Sequence, residues 1–138
     1  MKHIVLVCFY VLSVFCSRPS LYATEAASLD PSLLFGMPFE VSDLLNGPNP
    51  FDPSQTVTNI QFFTNDSGTC DYRVYSIRGE ELKRDKVNMN VGFNFIEWDG
   101  RNDDQALVSN GVYIFYLKCE ASDGQVVRDK LKIAVFKQ

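Results

Sequence analysis

From Thr56 to the end of the chain, apolar residues recur at alternate positions in short runs, and glycine, asparagine and aspartate separate the runs. The run Thr56–Thr64 changes phase, because Val57 falls on one parity and Ile60 and Phe62 on the other; a bulge near Thr58-Asn59 reconciles them. Cys70 to Val74 alternates cleanly and leads to Ile77-Arg78-Gly79-Glu80, a hairpin turn that opens the strand Leu82 to Val87. Gly92 to Trp98 follows, then the polar loop Asp99 to Asp104, a strand from Val112 to Cys119, a turn at Ser122-Asp123-Gly124 and a last strand from Val126 to Phe136. Strands at this spacing with turn residues between them predict an all-β sandwich, and no helical period of useful length follows residue 46.

Ahead of the strands the pattern is different. Pro48-Asn49-Pro50-Phe51-Asp52-Pro53-Ser54 holds three prolines around one large ring, so the segment is extended or turned and lacks three backbone donors. Phe51 reads as a plug inserted into the core of the domain that follows. Residues 24–46 carry Leu33-Leu34-Phe35 and Met37-Pro38-Phe39, but Pro31, Gly36 and Pro38 deny them a long helix. They read as a linker lying against the domain, with one short turn at Ser42-Asp43-Leu44-Leu45. The first residues place Lys2 and His3 before an apolar run from Ile4 to Cys16, too short to span a bilayer, with Ala23 as a small residue at the end. This describes a secretory signal peptide over residues 1–23; the alternative is a buried core helix. Lipidation at Cys16 is disfavoured because Phe15 is not small.

Composition narrows the chemistry. Losing residues 1–23 removes Lys2 and Arg18, so 11 of the 13 basic residues face 17 acidic ones, and 11 − 17 gives a net charge of −6. An acidic chain without basic clusters in its sequence argues against nucleic acid or an anionic membrane as partner. His3 is the only histidine and leaves with the signal, which excludes histidine-based triads, histidine metal sites and Cys–His nucleophiles. Cys8 and Cys16 leave too. Cys70 and Cys119 remain, and two cysteines in an oxidising compartment invite a disulfide.

Four stretches then fall into a recognisable order: Pro48 to Ser54, Tyr75-Ser76-Ile77-Arg78-Gly79, Trp98-Asp99-Gly100 and Asn110-Gly111-Val112-Tyr113. Together they resemble the Ig-like domain of the bacterial flagellar hook-capping protein, the FlgD-type Ig-like family, which overlaps the type IX secretion C-terminal sorting domains. The resemblance covers residues 47–138 and rests on the ordered set, since each motif alone is weak. Two departures stand out: the phase shift after Val57, and Ser76 where the family tends to carry an aspartate. The resemblance implies an Ig/fibronectin type III-like antiparallel β-sandwich of six to seven strands. Within it, Phe51, Trp98 and Tyr113 are the expected core anchors, with Ile96 on the face of Trp98. Asp99 is expected to accept bonds from backbone amides of its own loop, and Gly111 to allow the turn before Tyr113, Phe115 and Leu117 alternate inward. If the strands of Cys70 and Cys119 pair as equivalent strands do in fibronectin-like sandwiches, the two sulfurs meet; the alternatives are a Cys70–Cys119 disulfide or two buried thiols.

The remaining candidates are weaker. Asp99, Asn102, Asp103 and Asp104 offer oxygens in one loop, yet their spacing is not that of an EF-hand and no glutamate closes it, so a solvated turn is the better reading. Glu80, Glu81 and Glu97 form no carboxylate pair at a defined separation. Asn65-Asp66-Ser67 matches a glycosylation sequon, read here as a chance match. Phe93 and Phe95 sit on the parity opposite Ile96 and Trp98; they form either a contact surface or, as the favoured reading, a face covered by Leu34, Phe35 and Phe39.

The expectation is a non-enzymatic exported module at the bacterial cell envelope, in the periplasm, at the cell surface or outside, with a structural role or a protein partner of unknown identity. It includes no cofactor, no metal, no catalytic residue, no small-molecule substrate, no nucleic acid and no membrane span. The alternative is a type IX secretion sorting domain, suggested by the same motifs and by a final basic strand, Lys130 to Lys137; residues 24–46 are too short to be the cargo such domains ride behind, so it would be free-standing or truncated. Flagellar hook assembly is less favoured, since a cleavable signal and the lack of a rod-binding arm count against it.

Overall fold

The computed structural model describes residues 37–138, so the expected signal peptide over residues 1–23 and residues 24–36 of the lead-in lie outside the described residues. Seven strands run in chain order: β1 Val41–Gly47, β2 Thr58–Thr64, β3 Gly68–Ser76, β4 Glu81–Met89, β5 Gly92–Trp98, β6 Gly111–Ala121 and β7 Val126–Val135. All paired neighbours are antiparallel, and they form a three-stranded sheet ordered β1-β2-β5 and a four-stranded sheet ordered β4-β3-β6-β7. β4 pairs with β3 and not with β5, which departs from the constant-type Ig arrangement, where the fourth strand joins the first strand's sheet.

Alternation places Ile60 and Phe62 of β2, Tyr72 and Val74 of β3, Ile96 and Trp98 of β5, Phe115 and Leu117 of β6, and Ile133 and Val135 of β7 in one buried layer between the sheets. At the ends of β2 the buried hydroxyls are bonded. Thr58 Oγ1 donates to Pro48 O at 2.9 Å and Thr64 Oγ1 to Asn90 O at 2.8 Å. Among the described residues no buried side-chain nitrogen or oxygen lacks a partner. Cys70 and Cys119 are direct partners in the β3–β6 register, and their sulfurs are bonded at 1.97 Å. This bridge staples two strands of one sheet, unlike the inter-sheet bridge of antibody domains, and a link of this kind stabilises by about 2–4 kcal/mol. Met89 Sδ packs 3.3 Å from Cys70 Sγ.

Three expectations change. Residues 41–47 are a strand, not a linker with a turn, and the compact unit begins at Pro38 and not at residue 47. The register of β1 on β2 slips between Ser42 and Leu45, with Asp43 at φ 53°, so its apolar residues never alternate and the sequence pattern hides the strand. Just upstream, Asn65 holds the entering chain from both sides: its Oδ1 accepts from Glu40 N at 2.9 Å and its Nδ2 donates to Pro38 O at 2.9 Å. Second, no bulge interrupts β2, which pairs with β5 in unbroken register from Thr58 to Thr64; Val57 lies before the strand begins. Third, Gly111 is not needed for a turn. It opens β6 without a left-handed φ, and a Cβ there would meet nothing within 4 Å.

The proline-rich segment is wired into the opposite sheet. Asn49 mimics a strand neighbour, its Nδ2 donating to Lys132 O at 2.9 Å while its Oδ1 accepts from Ala134 N at 2.8 Å. Phe51 N donates to Ala134 O at 3.0 Å and Phe51 O accepts from Phe136 N at 2.9 Å, a short parallel bridge on the edge of β7. Asp52 accepts from Ser54 Oγ at 2.6 Å, Ser54 N at 2.9 Å and Gln138 N at 3.1 Å. These donors, the Ser54 hydroxyl foremost, hold its carboxyl below the usual range. The prolines therefore sit where donors are not required, and the residues between them bond to β7.

The ring of Phe51 meets Trp98 edge-on at 5.7 Å, and Trp98 meets Tyr113 edge-on at 5.6 Å. Trp98 Nε1 donates to Arg101 O at 3.0 Å, and the Tyr113 hydroxyl donates to Ser109 O at 2.6 Å. Gly100 closes this seam. It sits at φ 70°, and a Cβ there would lie 2.5 Å from Pro53 Cβ and 3.3 Å from Phe51 Cζ. Gly100→Ala is expected to lower unfolding stability by about 1–3 kcal/mol, and Gly111→Ala to change it by less than about 0.5 kcal/mol, measured by urea denaturation. Equal effects at the two glycines would contradict this packing.

Candidate functional site

The Asp99 loop binds itself. Asp99 Oδ1 accepts from Arg101 N at 3.0 Å, Asn102 Oδ1 from Ala106 N at 2.8 Å, and Asp103 Oδ1 lies 3.5 Å from Lys83 Nζ. These oxygens brace the turn that carries Trp98, and among the described residues no group of three or more His, Cys, Asp or Glu is placed to hold a metal ion. The buried phenol of Tyr72 is pushed up to about 12, chiefly by burial, and its ring stacks on Phe115 at 5.3 Å. It packs as a core ring and holds its proton at neutral pH. Among the described residues no helix is long and apolar enough to cross a membrane.

What the fold presents outward is more informative, and the two outer faces differ. On the three-stranded sheet, inward Ile60, Phe62, Ile96 and Trp98 leave Gln61 and Phe63 of β2 and Phe93, Phe95 and Glu97 of β5 facing out. Phe63 lies opposite Phe93, and their rings meet edge-on at 5.4 Å. Gln61 lies between Phe95 of β5 and Leu45 of β1. Phe93 is 63% exposed, Phe95 65% and Leu45 56%. The favoured expectation had Phe39 helping to cover this face. Phe39 instead enters the core, its amide donating to Gln125 Oε1 at 3.0 Å; Leu34 and Phe35 lie outside the described residues. The result is an apolar field of aromatic rings on a regular sheet.

The outer face of the four-stranded sheet is cationic. Strand pairing aligns Lys86, Asp71, Lys118 and Arg128 in one row across β4, β3, β6 and β7. The next row is Arg84, Arg73, Tyr116 and Lys130, and beyond it Lys132 stands beside Ile114 and Tyr75. This corrects the sequence argument that the chain has no basic clusters. The cations stand at alternate positions on four strands, interleaved with acids and spread along an acidic chain, so the net charge hides them and the pairing of the strands gathers them on one face. The legible trace was the i, i+2 spacing of Arg84/Lys86 and of Arg128/Lys130/Lys132 on predicted strands.

No protein-family model matches the chain, and no curated protein matches it. Among solved structures it is similar to dimeric latent PorU from Porphyromonas gingivalis, with a TM-score of 0.61 and 18% identity over 75% of this chain and 10% of that one. It is also similar to FlgD from P. aeruginosa, with a TM-score of 0.53 and 15% identity over 69% of this chain and 70% of that one. The chain thus spans about a tenth of PorU and over two thirds of FlgD. At these identities the likeness is one of fold, and the fold is the one implied by the FlgD-type motifs.

Proposed function

We propose that this chain is a non-enzymatic, exported Ig-like module that makes a protein contact at the bacterial cell envelope. The observation that carries the reading is the aromatic field of Phe63, Phe93 and Phe95 with Leu45 on the outer face of the three-stranded sheet. Exposed rings in a contiguous patch favour desolvation by a partner, and aromatic side chains dominate the buried centres of protein interfaces. A domain held by a disulfide and a closed core supplies a rigid platform for that contact. The absence of a nucleophile–base pair in the sequence supports a non-catalytic role.

A second reading, a type IX secretion sorting domain, is favoured by the fold likeness to a segment of PorU. The two separate on processing: C-terminal processing together with cell-surface fractionation supports sorting, and an unprocessed chain supports the contact module.

The contact reading is tested by placing a photo-crosslinking residue at Phe95 in producing cells. A discrete adduct with one envelope protein is expected at position 95 and none at Asn88, an exposed position of the other sheet. No adduct at position 95, or the same adducts at both positions, would contradict it.

A further inference from the structure

The cationic face is independent of the aromatic one and calls for a different occupant. Its charges are not evenly shared. Arg73 lies 3.6 Å from Glu81, and Lys118 lies 4.0 Å from Glu120, so the two inner strands hold their cations near acids. The outer strands differ: Arg84 and Lys86 of β4, and Arg128, Lys130 and Lys132 of β7, are exposed, and their ammonium and guanidinium groups form no salt bridge among the described residues. The free cations therefore form two stripes along the margins of one sheet. Three strand spacings separate the stripes, about 14 Å, with successive charges in a stripe about 7 Å apart. Beside the β7 stripe, Ile114, Lys130, Leu131 and Lys132 line an apolar-floored hollow of about 470 Å³, within the size range of small-group sites.

We propose that this face docks on an anionic phospholipid surface. A single extended polyanion would follow one stripe and leave the other unused. A layer of phosphate headgroups meets both at once, and the hollow between Lys130 and Lys132 accepts one headgroup with part of its glycerol. The acidic side chains of the domain, where 11 basic and 15 acidic residues over 38–138 give 11 − 15 = −4, then orient it with this face down and the aromatic field of the other sheet directed away from the lipid. The association is peripheral: the face carries Ile114 and tyrosines but no exposed apolar ridge to insert, so attraction to anionic headgroups dominates and salt opposes it.

The test is co-sedimentation of the full chain with vesicles of phosphatidylcholine alone or with a third phosphatidylglycerol, at low and high salt. Binding is expected to be at least about tenfold stronger with phosphatidylglycerol and to vanish near 1 M salt. Lys130→Glu with Lys132→Glu should reduce it at least about tenfold, as should Arg84→Glu with Lys86→Glu on the other stripe. Arg78→Glu with Lys137→Glu changes net charge equally at positions outside the paired rows of this face and should reduce it far less. Thermal melts identify any variant that fails to fold, and either stripe alone suffices to decide. Equal binding to both vesicles, an equal loss in the off-face pair, or binding to a DNA duplex or heparin without binding to phosphatidylglycerol would overturn the proposal.

Discussion

The contact on which the domain depends is the edge-on seating of Phe51 against Trp98. One ring comes from an irregular segment bonded to the edge of β7, the other from the end of β5 in the opposite sheet. Their meeting therefore ties the two sheets together at one end of the sandwich, and Tyr113 at the start of β6 completes the seam. Gly100 lets Pro53 approach the Trp98 turn, and Asp99 shapes that turn through the Arg101 amide. Motifs far apart in the sequence are thus parts of one joint. Burying Phe51 is worth roughly 1.5–3 kcal/mol in transfer free energy, and the edge-on contact adds about 0.5–1.5 kcal/mol.

Much of this was legible because the strands after Thr56 alternate, and alternation is what a sheet with one buried face requires. Tyr72 and Val74, Phe115 and Leu117, and Ile96 and Trp98 all face the core on the parity read from the sequence. The strand before the prolines was not legible. Its bulge at Ser42–Leu45 breaks the period that would have announced it, and its companion Phe39 enters the core from outside any strand. Val57 misled in the opposite sense, since a residue just outside a strand owes nothing to its parity.

The outer faces were partly legible. Parity alone placed Phe93 and Phe95 away from the core, but whether anything covers a face depends on contacts that no local pattern encodes. The cationic face was invisible to a charge count for a related reason. Net charge sums over the chain, whereas a sheet sorts charges by parity and then by strand neighbour, and here the larger sheet collects cations from four strands on one side. Which residues face the core is written in local alternation; which residues share an outer face is decided by strand pairing.

The most direct measurement is the unfolding stability of Phe51→Ala beside Phe95→Ala, followed in urea by the fluorescence of Trp98, the only tryptophan, and by far-ultraviolet circular dichroism. If Phe51 joins the sheets, its removal costs about 3–5 kcal/mol with both signals changing together, while Phe95→Ala costs less than about 1 kcal/mol. Similar small losses for both variants, or a Trp98 transition in wild-type protein well before the loss of strand signal, would contradict the account.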